Sequence, residues 1–576
     1  MLIKNLFITY ITLNIIGSAF AQTDLKGNQN KPDLVTLPEF TIMKQKTANQ
    51  RPVTTYESPI SNLDFDPRVD MQSRNMAEAQ GDLSIRGGTF ENTGIQVGSA
   101  TLLDPQTGHY TTELPIAPEM LGEPNVLTGA DNALRGFNSS VGTVSYSWSE
   151  IIKRGSLTVG GGDHNLNFQR IHNAITGAFG DLEDWKWGAE IESSRSESDG
   201  TIPFGDHSFE RTSGRVQLLG PDSQTDLFAG YQDKFYGWPA MYTADIANHE
   251  YEDLVTRLFY LNHRQDYGND SNWELSSYYR RNYDLYTNKT SGYVGDHETK
   301  VSAVSLYGRH EIIQRVYINY AANVLGDKID SEPLGNKFVD RNYYKLSIVP
   351  EYVSETIDGK TMTYKLGASW DDSNRDDSKI SLISKISLSQ FNKSGLKDDF
   401  YLSYSESSQV AGYGAIGGTA NNPYFLAYTN LNRGVSKNLE LGYSTSHDDW
   451  KLSGAIFNRW DKDIFDWVYK SDLARKVNHA DIDTFGIEAI ASFTFEKIET
   501  ILGYSYLNKD ADYGMSDIVG SFYALNFPKH RATLAIIWDP LDSVEVRIDN
   551  EWRDQRNNVL REGPDHSMYS HLAASY

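Results

Sequence analysis

The sequence predicts an all-β transmembrane barrel of about 20–22 antiparallel strands, with an N-terminal mixed α/β plug domain inside the lumen. Three observations lead to this prediction. The chain begins with an export signal, a compact Gly-rich segment follows, and residues from about 155 onward alternate between apolar and polar side chains. A barrel of this size leaves an aqueous channel unless something fills it, and the compact segment has the right size to do so.

Residues 1–21 are predicted to be a cleaved signal peptide. Lys4 supplies the positive charge, residues 6–16 are mostly apolar, and Ala19–Ala21 gives a small-x-small cleavage pattern. The alternative, a membrane anchor, is disfavoured because the apolar run is too short to span about 30 Å of hydrocarbon. No later segment stays apolar for about 18 residues, so we expect no transmembrane helix.

The composition excludes several classes of function. The chain has no cysteine, which removes thiolate chemistry, and its net charge of −24 disfavours a nucleic-acid partner. Its 46 glycines and 35 tyrosines fit a membrane barrel with aromatic girdles. The glycine segments are not phosphate loops, because no Gly-Lys-Ser/Thr follows them. We expect no cofactor.

Residues 22–45 are predicted to be a periplasmic N-terminal segment that contains a short β-prone island at 33–42. Within this island, the residues best suited to pair with a partner strand are Leu34, Val35, Thr36 and Leu37, since Pro38 interrupts backbone pairing. An extended peptide of this kind pairs with the sheet edge of a partner. The alternative is an ordinary linker.

Residues 46–153 are predicted to form the plug domain, with short apolar strands at 83–86, 94–97 and 141–148. Glycines recur through this segment and are expected to permit tight turns in a small globule inside a tube. They stand at 87, 88, 94, 98, 129 and 136.

Residues 154–576 are predicted to form the outer-membrane β-barrel. Val544, Val546 and Ile548 alternate with charged residues, so one face is apolar and the other polar. A soluble sandwich or propeller also alternates, but these strands are long and no blade-length repeat is present. We count about 19–20 strands, and backbone groups in lipid require the sheet to close.

Several segments, in order along the chain, resemble motifs of the TonB-dependent outer-membrane receptors. Leu83–Gly88 resembles the family's Ser-x-Arg-Gly segment, and Val126–Gly136 resembles its Val-Leu-Arg-Gly-Pro…Ala-Leu-Tyr-Gly stretch. In the barrel, similar matches occur at 436–442, 464–468, 485–488 and 526–531. The chain departs from the family pattern at Thr128, Arg135 and Gly98-Ser99, where Arg, Tyr and Asp-Gly are usual.

The resemblance implies a gated importer in the outer membrane of a Gram-negative-type bacterium. Its ligand would be a small molecule of the ferric siderophore or cobalamin class, and glycans are the less favoured alternative. The TonB protein, with its inner-membrane energising complex, would pair with the island at 33–42, the TonB-box candidate. Outer-membrane lipid would surround the barrel, and we expect a monomer. The family usually has 22 strands, so the expectation is a chain that lacks the last strand pair.

Two groups of residues are candidate sites. The plug candidates are Arg86, Gly87, Gly88, Gly129, Arg135 and Gly136; both arginines are interpreted as docking the plug to acids of the barrel wall, with direct ligand contact as the alternative. The ligand-loop candidates are Phe235, Tyr236, Trp238 and Tyr242, in a loop expected after a strand, and Tyr413 in a second, mobile loop.

Other functions have weaker support. Asp371, Asp372, Asp376 and Asp377 could bind calcium, but their spacing favours a solvated turn, and Asp510, Asp512 and Asp517 are interpreted in the same way. No nucleophile–base pair is evident, so we expect no enzyme. A binding or adhesion barrel without transport remains the alternative function. A simple porin is disfavoured because it would leave the residues before the barrel without a role.

Overall fold

The structure of the chain is a computed structural model. The structure describes residues 58–61, 63, 66–74, 78–180, 182–243, 247–268, 270–391, 396–417, 425–426, 428, 430–470, 475–559, 561 and 563–576. The signal peptide at 1–21 and the TonB-box candidate at 33–42 lie outside these residues, and their assignments stay predictions.

The first part of the described chain is a small mixed globule. Its strands are β1 (Val69–Arg74), β2 (Gln80–Ile85), β3 (Thr93–Val97), β4 (Ala100–Leu102), β5 (Asn125–Thr128) and β6 (Gly142–Tyr146). One short helix, Gly129–Arg135, called the plug helix below, follows β5, and 3-10 turns occur at Phe90–Asn92, Gly108–Thr112 and Pro118–Met120. β1 and β2 pair antiparallel, and the other four strands form a sheet of order β4-β3-β6-β5 in which β3 and β6 are parallel.

The rest of the chain is almost entirely strand. The strands are β7 (Arg154–Gly161), β8 (Asn167–Phe179), β9 (Leu182–Ser198), β10 (His207–Leu219), β11 (Ser223–Pro239), β12 (His249–Asp266), β13 (Asn272–Asn288), β14 (Tyr293–Ile313), β15 (Val316–Ser331), β16 (Asp340–Val353), β17 (Lys360–Ser373), β18 (Asp376–Phe391), β19 (Lys397–Gln409), β20 (Phe425–Leu426), β21 (Gly434–His447), β22 (Trp450–Lys470), β23 (Arg475–Phe495), β24 (Ile498–Asp512), β25 (Ile518–Ser521), β26 (Pro528–Leu541), β27 (Val544–Gln555) and β28 (His566–Ser575). A four-residue helix, Tyr413–Ile416, lies between β19 and β20.

These strands form one antiparallel barrel in sequence order. β20 and β25 are short additions at one rim, because β19 pairs directly with β21 and β24 with β26. About 20 long strands therefore make the wall, which agrees with the sequence count and confirms the predicted fold class. In the strand order β28 lies beside β7, and the side chains of β7 are exposed on both faces.

Burial alternates along the wall strands as the period-two pattern predicts. On β13 the buried residues Ser276, Tyr278, Arg280, Asn282 and Asp284 face the lumen, while Tyr279 between them is 39% exposed on the outer face. The lumenal face carries charges because the plug supplies partners for them, whereas the outer face meets lipid. Arg547 and Asp549 are buried and Ile548 is exposed, as the alternation in β27 predicts.

The two rims differ in the length of their connections. One rim carries the two-residue turns 314–315, 448–449, 496–497 and 542–543, together with the entry into β7. The other, called the long-loop rim below, carries 199–206, 240–248, 332–339, 410–433, 513–527 and 556–565. Short turns on one side and longer loops on the other are typical of outer-membrane barrels, whose longer loops face outward.

The main apolar core joins the plug to the wall. Ile95, Val97 and Val144 of the plug sheet belong to the same buried cluster as Leu258 and Tyr278 of the barrel. None of the helices in the described part of the chain has the length and hydrophobicity needed to span a bilayer.

One expectation about a loop is corrected. Residues 235–242 were expected to follow a strand, but β11 continues to Pro239, so Phe235, Tyr236 and Trp238 lie in the strand and only Tyr242 lies in the loop. Aromatic residues favour a pleated surface, and here they gain cross-strand contacts such as Phe235 stacked on Tyr251 at 5.5 Å between ring centroids.

Candidate functional site

The plug is anchored to the barrel by an ion-pair cluster of Arg86, Glu440 and Glu488. Arg86 follows β2 in a left-handed conformation (φ 48°) that turns its side chain onto the wall. Its Nη1 donates to Glu440 Oε2 at 2.7 Å, and its Nη2 and Nε donate to Glu488 Oε1 and Oε2 at 2.5 and 2.9 Å. All three residues are buried. A guanidinium shared by two carboxylates fixes both the position and the orientation of the plug.

The electrostatics of this cluster favour a permanently charged Arg86. Burial alone lowers the pKa of the guanidinium, but the charges of Glu440 and Glu488 outweigh burial and raise that pKa well above its usual value. The guanidinium also lies 4.3 Å from the ring centroid of Phe457. Arg86 therefore forms the contact with wall acids that the sequence predicts for it.

Neighbouring backbone groups of the plug are held by the wall as well. Lys509 donates to the carbonyl of Gly87, and Arg459 Nη1 donates to the carbonyl of Arg86 at 3.1 Å. Gly87 has φ +67°, a conformation that other residues rarely adopt. The amide of Gly88 donates to the Ile85 carbonyl at 2.8 Å, which closes the turn after β2.

The plug helix forms a second contact with the wall. A Cβ at Gly129, where φ is +52°, would lie 2.9 Å from Glu440 Oε2, so any other residue at the start of the helix would be strained. At the other end, Lys345 Nζ donates to the carbonyls of Ala133 and Gly136 at 2.9 and 2.5 Å. A cation at this end also complements the helix dipole.

Arg135 makes different contacts from Arg86. Its Nη2 donates to Gln96 Oε1 at 3.2 Å and Ser145 Oγ at 3.3 Å, both in the plug, and its guanidinium lies 4.7 Å from the ring centroid of Tyr307 on the wall. Further ion pairs join plug and wall around the lumen: Arg280–Asp104, Lys234–Glu113, Lys385–Asp131, Arg170–Glu119 and Arg553–Asp70.

A cavity of about 160 Å³ lies between the plug and the long-loop rim, and is called the apex cavity below. Plug residues Gln106 and Tyr110 form its floor, and residues of the wall and the loops form its sides. The main wall and loop residues are Tyr242, Glu252, Asp284, Tyr286, Tyr293, His297, Gly414, Ala415, Trp467 and Arg475.

The floor of the apex cavity is rigidly supported. The 3-10 turn Gly108–Thr112 presents His109 and Tyr110, and His109 stacks on Phe90 at 4.0 Å between ring centroids. His109 Nδ1 lies 2.5 Å from Asp82 Oδ1, and Tyr110 donates its hydroxyl proton to Glu252 Oε2 at 3.0 Å. Beside this floor, burial raises the pKa of Glu91 to about 7.

The ligand-loop candidates take different positions around this cavity. Tyr242 lines it and accepts a 2.6 Å hydrogen bond from Gln80 Nε2. Tyr236 is fully buried behind the cavity against Phe209, and Trp238 packs against the same cluster. Tyr413 is also fully buried; its hydroxyl donates to Asp327 at 2.8 Å, so it positions the loop whose next residues line the cavity.

Sequence reasoning missed the acidic residues of the apex cavity. Glu252 and Asp284 sit on the lumenal faces of β12 and β13, where period-two alternation alone would have placed them. Their convergence was not evident, because it depends on the stagger between strands. Within the described residues no group of three His, Cys, Asp or Glu side chains has an arrangement suited to a metal ion, and this includes the aspartates near 371–377 and 510–517.

A larger concavity of about 1070 Å³ lies on the outer wall. Its exposed lining is apolar and includes Ile175, Val216, Leu227 and Phe259. Such a surface meets lipid in a membrane barrel, so the smaller apex cavity is the candidate for a polar site.

An antiparallel wall of this size, filled by an ion-paired plug, defines an outer-membrane receptor barrel. The sequence model of the family described as "TonB dependent receptor-like, beta-barrel" matches residues 187–576. The chain therefore belongs to the TonB-dependent receptor family, and it is an outer-membrane protein of a Gram-negative-type bacterium. Members of this family are transporters and receptors rather than enzymes.

Solved structures share the fold at low sequence identity. The siderophore receptor PirA from Pseudomonas aeruginosa superposes with a TM-score of 0.63 at 14% identity, covering 91% of this chain and 90% of that one. The FrpB iron transporter from Neisseria meningitidis (F3-3 variant) gives 0.68 at 12%, covering 92% and 90%. The copper transporter OprC gives 0.70 at 12%, covering 91% and 87%. No curated protein matches the chain by sequence.

Proposed function

We propose that the protein actively imports a scarce, bulky nutrient of the ferric siderophore or cobalamin class across the outer membrane. The observation that carries the proposal is the apex cavity, which lies on a plug that occupies the lumen and is ion-paired to the wall. A filled lumen blocks passive diffusion, so passage of a bulky ligand requires displacement of the plug.

In this proposal, ligand binds at the apex cavity and the surrounding loops. The TonB protein pairs with residues 33–42 on the other side of the membrane and pulls, driven by the inner-membrane proton-motive force. Main-chain hydrogen bonds of an added strand can transmit that force with few demands on sequence. The structural relatives named for siderophore, iron and copper transport support a metal-containing nutrient.

The experiment compares growth and ligand uptake of cells that carry the intact gene with cells that carry a deletion of 33–42. Both are grown under iron limitation and under cobalamin limitation. A deletion of equal length at 22–31 is the matched control, and outer-membrane abundance of each protein is measured by immunoblot. We expect growth to fail only with the 33–42 deletion, on the nutrient that names the ligand class.

If the 33–42 deletion supports growth and uptake as well as the parent on every limiting nutrient, energised import is wrong. A binding or adhesion barrel would then be the better explanation.

A further inference from the structure

The apex cavity presents hydrogen-bond acceptors that have no donor. Asp284 Oδ2 accepts from Gln106 Nε2 at 2.6 Å, and Glu252 Oε2 accepts from the hydroxyl of Tyr110 at 3.0 Å. The other carboxylate oxygens, Glu252 Oε1 and Asp284 Oδ1, have no hydrogen-bond partner, and neither has the amide oxygen of Gln106, Oε1. The exposed fractions of Glu252, Asp284 and Gln106 are 0%, 1% and 7%. Buried acceptors without donors are costly, so the cavity is built to receive a ligand that donates protons.

The described lining of the cavity includes one permanent cation, Arg475. Among the described residues, no lysine or arginine forms an ion pair with Glu252 or Asp284. Glu91, on the plug, also lines the cavity. Two neighbouring carboxylates repel each other, and a cation placed between them relieves that repulsion.

The basic groups that face the cavity are directed to other partners. From the plug, His109 contacts Asp82; from β14, the Nδ1 atom of His297 lies 2.8 Å from the hydroxyl of Ser331. From β23, Arg475 donates to the carbonyl of Tyr242 at 2.9 Å, and its guanidinium lies 4.3 Å from the ring centroid of Phe522. These contacts hold the basic groups at the sides of the cavity, whereas Glu252 and Asp284 line it without an ion-pair partner among the described residues.

The walls add an aromatic surface around the acids. Tyr110, Tyr242, Tyr286, Tyr293 and Trp467 all line the cavity. Aromatic faces attract cations, and this attraction is strongest where water is excluded. Because the described residues hold no metal-binding cluster of three ligands, the arrangement suits an organic cation rather than a bare metal ion.

We infer that the apex cavity recognises a positively charged arm of the ligand, a protonated amine or a guanidinium, held by Glu252, Asp284 and Gln106. Whole-ligand sites usually enclose about 300–1,000 Å³, so a cavity of this size holds one arm while the body of the ligand lies among the loops. The inference rests on the proposed function and narrows its substrate class to cationic chelates. The chain's net charge of −24 favours the approach of such a ligand.

The test measures charge selectivity of the purified full-length protein in detergent at pH 7.5. The probes are ferrioxamine B, a ferric chelate with a pendant primary ammonium, and its N-acetylated neutral form; benzylammonium and benzyl alcohol form a second, smaller pair. We expect each cation to bind at least about tenfold more tightly than its neutral counterpart, because hydrogen bonds to charged groups are stronger than those to neutral groups.

The double variant Glu252→Gln/Asp284→Asn should reduce this preference to less than about threefold. Asp253→Asn is the matched control. Asp253 follows Glu252 directly in β12, so its side chain lies on the opposite face of the strand, and this variant should leave the preference unchanged. The wild-type comparison tests the inference even if the double variant fails to fold.

Equal binding of charged and neutral forms, or no binding of either cation, would overturn the inference. Its failure is distinct from failure of the proposed import. If the protein shows no charge selectivity but still needs residues 33–42 for uptake, only the inference of a cationic arm is rejected. If binding is charge-selective but uptake does not depend on residues 33–42, only the proposed transport is rejected.

Discussion

Arg86 is shared by two acids of the wall, so its loss leaves two buried carboxylates without this partner. Its guanidinium reaches Glu440 and Glu488, which belong to β21 and β23. Removing one member of a buried ion-pair cluster costs more than the cluster contributes, because the remaining charges stay buried without partners.

We therefore expect Arg86→Ala to lower the free energy of unfolding by about 3–5 kcal/mol. The measurement is the thermal unfolding midpoint in detergent, together with protease sensitivity of the plug. Arg264→Ala is the control, because Arg264 pairs with Asp266 and both side chains are about half exposed. It should cost less than about 1 kcal/mol. Equal shifts in the two variants would contradict a special role for Arg86.

Glu91 makes the stability of the plug depend on pH. Burial raises its pKa from 4.5 to about 7, so the folded protein holds a proton that the unfolded chain releases between these values. Stability from this group is present below pH 4.5 and is lost as the pH rises to about 7.

Glu91→Gln should therefore remove part of the pH dependence. We expect the variant to be more stable than the parent at pH 8 by about 1–3 kcal/mol, with little difference at pH 4.5. Unfolding midpoints across this range give the measurement, and Glu210→Gln, at an exposed position, is the control. A parent and variant with parallel pH profiles would reject the assignment.

At the residue scale, the sequence identifies Arg86 but not its partners. A plug arginine with acidic partners on the wall is predictable from residue type. That these are Glu440 and Glu488, 354 and 402 residues away, depends on the strand register and on the angle at which the plug sits. Local patterns carry no information on either.

At the element scale, the wall strands follow directly from the sequence, and the loops do not. Alternation is dictated by lipid on one face and a charged lumen on the other, so it persists through β13 and β27. The ends of strands are set by cross-strand contacts instead. Thus β11 includes Phe235 and Trp238, which the composition alone assigned to a loop.

The loop between β19 and β20 docks onto the plug through its short helix. The amides of Tyr413 and Gly414 each donate at 2.8 Å to plug carbonyls, those of Pro105 and Gln106. The Tyr413 ring lies 4.0 Å from the guanidinium carbon of Arg341, which itself pairs with Asp327. Tyr413 therefore couples this loop to both the plug and the wall.

Tyr413→Ala should release the loop without unfolding the barrel. Loss of one hydrogen bond and one cation–π contact predicts at least about tenfold faster amide exchange at residues 412–417. Hydrogen–deuterium exchange with mass spectrometry measures it. Tyr428→Ala is the control, because Tyr428 follows β20, is 44% exposed and keeps its backbone amide in the variant; it should leave exchange at 412–417 unchanged. If amide exchange at 412–417 is unchanged in Tyr413→Ala, the backbone hydrogen bonds to the plug are sufficient to hold the loop.

At the scale of the whole molecule, a barrel around a plug is predictable because each part requires the other. About 20 strands enclose a lumen too wide for side chains to fill, and the compact segment before them has the size to fill it. The chemistry of the apex cavity is not predictable in this way. It arises where the 3-10 turn at Gly108–Thr112, five wall strands and three loops from distant parts of the chain converge.

The proposed transport requires the plug to move relative to the wall, and a disulfide can test this. The hydroxyl oxygens of Ser99, in the plug, and Ser276, on β13, are 3.0 Å apart, and the chain contains no cysteine. Side chains this close can be bridged when both are replaced by cysteine. We expect the oxidised Ser99→Cys/Ser276→Cys protein to bind ligand as the parent does but to lose uptake, and a reductant to restore it.

The matched control places the same bond within the wall. Ser193 and Thr212 are register partners on β9 and β10, with their hydroxyl oxygens 3.3 Å apart. The Ser193→Cys/Thr212→Cys protein should transport equally well when oxidised and when reduced, because neighbouring wall strands have no need to separate. If the oxidised plug-to-wall variant transports as fast as this control, the ligand passes without displacement of the plug at Ser99. The path would then have to lie elsewhere along the plug surface.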